Sequence, residues 1–243
     1  MRTVWVGLAL LILVPVLSGC KALLYTPSTH VVPMFERSGQ VQAAVSLKQD
    51  AGFDVQVAGS PLPHIVLFTT GTAALNVLDR YQQRYGELGG GFYAVIPYEM
   101  TLELLAGKGR GRARGQGEQL VSSDDIFPVI ESYSYEAAYR RTFAQVNIGK
   151  RTDGGALLVG GALRFSWVHF DDFETDPEDL VREVRAVYAE PALFFRARVN
   201  RFVDLEGQLG SSYALREEEQ ALFGKVERYG SVGIRLHLGR PSI

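Results

Sequence analysis

Few residues in this chain could carry chemistry, and none is spaced for catalysis. The four histidines, His30, His64, His169 and His237, include no i,i+4 pair and no HExxH run, so no zinc-binding helix face is present. No GxSxG elbow occurs, and Ser211-Ser212 has no local partner to activate a hydroxyl. The acidic pairs Asp124-Asp125 and Asp171-Asp172 fall in expected loops without a calcium-loop template and read as solvated charge. The run from Gly107 through Lys108, Arg110, Arg112 and Arg114 to Gly117 is glycine-rich, but no GK[ST] follows, which excludes a phosphate loop. Its cations are expected in a flexible outer loop, suited to attract lipopolysaccharide or another polyanion. A last group comprises charges set inside strand-like patterns: Glu103, Arg141, Glu190, Arg196, Arg198, Glu206 and Arg235. In a narrow barrel such residues cross-link and fill the bore; the alternative is a polar lining that binds a small solute.

One residue has a clear chemical assignment. Val4 to Val16 is an apolar run after Arg2, the length of a signal-peptide core and too short to span a bilayer as a helix. It ends in Leu17-Ser18-Gly19-Cys20, which looks like a lipobox, and Cys20 is the only cysteine in the chain. A thiol at that point is the nucleophile needed for a thioether to a diacylglyceryl group, and several acyl chains give lasting anchorage. Residues 1–19 are therefore expected to be a lipoprotein signal peptide and residues 20–37 an acylated tether. Lys21, rather than an acidic residue, leans toward the outer membrane. No cofactor is expected beyond this covalent lipid.

The elements that position these residues read as strands. With 243 residues and 47% hydrophobic content, the chain can bury a core, and its net charge of -2 argues against a nucleic-acid partner. From residue 38 onward apolar and polar residues alternate, as in Val41, Ala43, Val45 and Leu47 against Gln42, Ala44 and Ser46. Thr152-Asp153-Gly154-Gly155 signals a tight hairpin. About ten strands result, with short links near 60–63, 98–99, 151–155 and 200–202. Long links are expected near 73–91, 107–137, 171–187 and 214–228, with a short helix from Asp176 to Val187.

This spacing predicts an all-β, up-and-down antiparallel barrel of eight to ten strands over residues 38–243, with short periplasmic turns and long outer loops. Periodicity does not say which face is inside. The expectation is apolar residues toward lipid and charges inward. Supporting it, Tyr93, Tyr98, Tyr133, Tyr135, Trp167, Phe170, Tyr188, Tyr213 and Tyr229 lie near strand ends, where interfacial girdles belong. The segments Gly52-Phe53-Asp54-Val55-Gln56-Val57-Ala58 and Glu190-Pro191-Ala192-Leu193, with Gly230 to Leu238, resemble uncharacterised outer-membrane β-barrel lipoproteins common in Bacteroidota. That resemblance implies an outer-membrane barrel and brings no catalytic residues with it. One departure is the close Arg240-Pro241-Ser242-Ile243, which lacks a terminal aromatic. The expected function is non-enzymatic: a lipid-anchored barrel with structural or surface-interaction duties, its partners being membrane lipid and a polyanion at 107–117. A lipocalin-like carrier of an apolar ligand and a small lipid-modifying enzyme are the alternatives.

Overall fold

Two-residue alternation gives each strand two chemically different faces, and a sheet closed on itself leaves no edge unpaired. The computed structural model describes residues 25, 27–49, 52–74, 81–122, 129–176, 184–215 and 226–238. Cys20 and the Asp124-Asp125 pair lie outside them. Ten strands are present: β1 (Val41–Lys48), β2 (Gly52–Gly59), β3 (Ile65–Ala74), β4 (Tyr81–Ile96), β5 (Met100–Ser122), β6 (Val129–Arg151), β7 (Leu157–Asp176), β8 (Val184–Arg198), β9 (Val203–Ala214) and β10 (Val226–His237). Each pairs antiparallel with its sequence neighbours, and β1 pairs with β10 to close the barrel. The fold is the up-and-down barrel that the alternation predicts.

Its faces are inverted relative to a soluble protein. Val45 is 51% exposed and Ser46 3%; Ile234 is 50% exposed and Arg235 1%. Leu67, Leu104, Trp167 and Leu193 also point outward, while four arginines point inward and are fully buried. Apolar side chains out and ions in is the arrangement that hydrocarbon surroundings select.

The glycine-rich run is not a loop. Residues 107–117 lie within β5, paired with β6 throughout and with β4 as far as Gly115. Much of the expected 73–91 and 107–137 links is likewise strand, and β5 and β6 reach 23 residues each. A bilayer crossing takes about 9–11 residues, so these strands continue well past one. The outer part of β5 alternates glycine with cation rather than apolar with polar, so it carries no hydrophobic period. Glycine is needed there for space. A Cβ at Gly111 would sit 2.5 Å from the Tyr139 ring, and one at Gly107 would sit 2.7 Å from the Phe143 ring. Of the helix expected at 176–187, residues 177–183 lie outside the described residues, and Val184 onward is strand.

The aromatic girdle needs correction. Tyr98, Trp167 and Tyr213 are outward and exposed, but Tyr93, Phe170, Tyr188 and Tyr229 are at most 5% exposed and face the lumen. Strand parity, not proximity to a strand end, decides the side. The side chains of Tyr133 and Tyr135 lie outside the described residues.

Candidate functional site

What those inward rings pack against is the chain's own N-terminal lead. The described part of the segment expected as a tether runs inside the barrel: Tyr25, Ser28, Thr29, His30, Val31, Val32, Met34 and Phe35 are all at most 3% exposed. It runs parallel to β6, extended along the axis. Tyr25 packs on Tyr139, Ser28 bonds Arg141, Val31 bonds Gln145 and Asn147, and Glu36 reaches Arg151 at 3.1 Å. Tyr25 thus lies toward the longer connections, clustered with Ala214, the last residue of β9. Glu36 lies at the hairpin-turn end.

An extended segment without a sheet partner must still satisfy its backbone. Here wall side chains take the place of a ladder. The Thr29 amide donates to Asp54 at 2.7 Å, and the His30 amide donates to Gln208 at 2.9 Å. Gln145 and Asn147 donate to the Val31 carbonyl at 2.6 and 2.9 Å. Arg196 donates to the Pro33 carbonyl at 2.9 Å and also to that of Val32. At Met34 the backbone turns left-handed, with φ of 55°. That turn aims the amides of Met34 and Phe35 at one Glu103 oxygen, 2.6 and 3.3 Å away.

Two ionic clusters brace this plug. In the first, Arg141 pairs with Glu87 and donates to the hydroxyls of Tyr85, Tyr25 and Ser28. Arg164 pairs with Glu190 and donates to the Ser28 carbonyl at 2.7 Å. The Tyr25 hydroxyl joins the halves by donating to Glu190 at 2.9 Å. Tyr25 also stacks on Tyr188 at 4.8 Å between centroids. In the second cluster Glu206 lies between two guanidiniums, Arg235 at 2.6 Å and Arg196 at 3.3 Å. Between the clusters, the His30 ring is fixed at both nitrogens. Its Nε2 contacts the Glu190 carbonyl and its Nδ1 the Tyr229 hydroxyl, each at 2.8 Å. A carbonyl can only accept, so Nε2 carries the hydrogen and Tyr229 donates to Nδ1.

Of the charges picked out in the sequence, Glu103, Arg141, Glu190, Arg196, Glu206 and Arg235 meet in this lumen network. Arg198 is half-buried at the turn end, where its amide donates to Ala156. Arg164, Glu87, Asp54 and Asp204 belong to the buried set and were not singled out. For Arg164 and Asp54 the signal was present, a lone charge between apolar neighbours. Glu87 lay in a stretch read as a loop. His237 contacts Asp204 at 2.9 Å. The participation of Tyr25, Ser28 and His30 has no signature in a short proline-flanked lead.

No protein-family model matches the chain, and no curated protein does. Among solved structures it is similar to the translocator domain of the autotransporter NalP from Neisseria meningitidis, at 12% identity over 82% of this chain and 86% of that one, with a TM-score of 0.45. It is also similar to the KdgM porin in complex with disordered oligogalacturonate, at 9% identity, covering 81% and 98% of the two chains with a TM-score of 0.38. A third is CarO of Acinetobacter baumannii, at 12% identity, covering 82% and 97%, with a TM-score of 0.22.

Proposed function

We propose that this chain is an outer-membrane barrel, anchored by lipid on Cys20 and closed by its own N-terminal segment. Its role is structural or surface-interacting rather than transport or catalysis. The observation that carries the reading is the plug: Tyr25 and residues 27–35 occupy the bore, and wall side chains bond its backbone from Ser28 to Phe35. A solute would have to displace several buried ionic hydrogen bonds to pass. The same filling argues against an apolar ligand held inside, because Tyr25, Val31, Val32, Met34 and Phe35 of the lead already cover the apolar patches of the lumen wall. The inverted faces support embedding in a bilayer. Cys20 precedes Tyr25 by five residues, which span at most about 17 Å. The acyl group then anchors at the end with the longer connections, so the lead acts as both tether and plug.

The test is fractionation and conductance. Wild type is expected to take up labelled palmitate and to need detergent for extraction. Cys20→Ala loses the label but still needs detergent, because the wall itself is embedded. In planar bilayers wild type is silent, while a deletion of residues 25–35 conducts. A freely soluble Cys20→Ala protein overturns the embedded barrel, and open-pore conductance of wild type overturns the closed lumen.

A further inference from the structure

The outer wall from β3 to β7 carries charges that the lumen network does not use. Lys108, Arg110, Arg112 and Arg114 alternate along β5 and are all exposed on its outer face. Register sets Arg112 directly across from Arg84 on β4, and Arg110 directly across from Arg140 on β6. Like charges in opposed positions repel across a sheet, and an anion between them removes that penalty. Neighbouring carboxylates are already engaged. Glu136 pairs with Arg114 at 2.5 Å, and Asp171 pairs with Arg140 at 2.7 Å and contacts His169 at 3.1 Å. Among the described residues, Arg84, Lys108, Arg110 and Arg112 form no ion pair.

Between these arginines the wall is dented. Small residues on three strands, Gly71, Ala73, Gly86 and Ala138, line a groove of about 860 Å³ bordered by Phe53 and Val55. Toward the turn end the outward residues become apolar, with Leu88 61% and Leu104 51% exposed. Trp167 pairs with Thr142, two residues along from the Arg140–His169 pair, and marks the boundary between the two zones. Acyl chains lying on the apolar wall would therefore bring a headgroup to the guanidiniums.

We propose that this groove binds the headgroup of a bis-phosphorylated, multiply acylated glycolipid, the chemistry of lipid A. One phosphate lies against Arg84 and Arg112, the other against Arg110 and Arg140, where it takes over from the Asp171 carboxylate that holds Arg140 in its absence. Guanidinium forks match phosphate oxygens two at a time, and two arginine pairs call for two phosphates, where a common phospholipid offers one. The assignment rests on the membrane reading given above.

The experiment uses the full chain in nanodiscs. Binding of bis-phosphorylated lipid A, mono-phosphorylated lipid A and phosphatidylglycerol is compared by native mass spectrometry. Wild type is expected to favour the bis-phosphorylated form by about tenfold or more, since a hydrogen bond to a charged group contributes about 1.5–3 kcal/mol and 1.4 kcal/mol is tenfold. Arg84→Gln/Arg110→Gln, which removes one cation from each pair, is expected to lose that preference, and Lys150→Gln at the turn end to keep it. Equal binding of all three lipids by wild type overturns the proposal, as does an unchanged preference in the double variant. If that variant fails to give the heat-modifiable gel mobility of a folded barrel, the three-lipid comparison on wild type decides alone. Failure of wild type to enter the nanodisc overturns the membrane reading and the proposal with it, whereas insertion without preference overturns the proposal only.

Discussion

Replacing Glu206 with Gln tests whether the lumen is held by charge balance. Glu206 is the carboxylate shared by Arg196 and Arg235, and the side chains of all three are at most 4% exposed. Glu206→Gln keeps the shape and removes the anion, leaving two guanidiniums buried together. Removing one partner of a buried pair costs about 3–5 kcal/mol, a shift of roughly two to three and a half decades in the unfolding equilibrium. Total stabilities are only about 5–15 kcal/mol, so the loss is large. The assay is urea unfolding in lipid vesicles, followed by loss of compact mobility in unboiled gels. The double variant Glu206→Gln/Arg235→Gln removes a cation as well and is expected to recover about 1 kcal/mol or more of the deficit, a coupling of the size found for contacting residues. Arg196 also donates to the carbonyls of Val32 and Pro33, so Glu206→Gln should add brief openings to an otherwise silent conductance trace. A single variant within about 0.5 kcal/mol of wild type would mean that packing, not ionic pairing, holds the lumen, and the reasoning fails.

Gly111→Val drives a branched side chain into the Tyr139 ring and is expected to cost about 1–3 kcal/mol in the same unfolding assay; combining it with Tyr139→Ala should return part of the loss. Tyr25→Phe removes the hydroxyl that links Arg141 to Glu190 and is expected to cost about 1–3 kcal/mol, read as faster proteolysis of the lead in intact vesicles. Glu103→Ala frees the amides of Met34 and Phe35, so the left-handed turn loses its acceptor; channel openings should become frequent while gel mobility stays that of a closed barrel.

Strand number and closure were legible because alternation is a property of the chain alone. Val41 to Leu47 and Val232 to Leu238 each show two faces without reference to anything else, and six of the seven charges picked from such patterns are buried in one lumen. Which face points outward is absent from that record, since a soluble barrel and a membrane barrel share the same period. Only the closed sheet, with Ile234 outside and Arg235 inside, assigns it. The outer reaches of β4 to β6 escaped notice for a related reason: beyond the apolar belt both faces can be polar, and the Gly-Lys-Gly-Arg alternation scores as a loop until cross-strand aromatics fill the glycine gaps. Most dependent on tertiary structure is the plug. Tyr25 to Phe35 has no period and no partner strand in sequence. Its conformation is set by acceptors and donors up to 199 residues away in the chain, and those converge only once ten strands have closed around it.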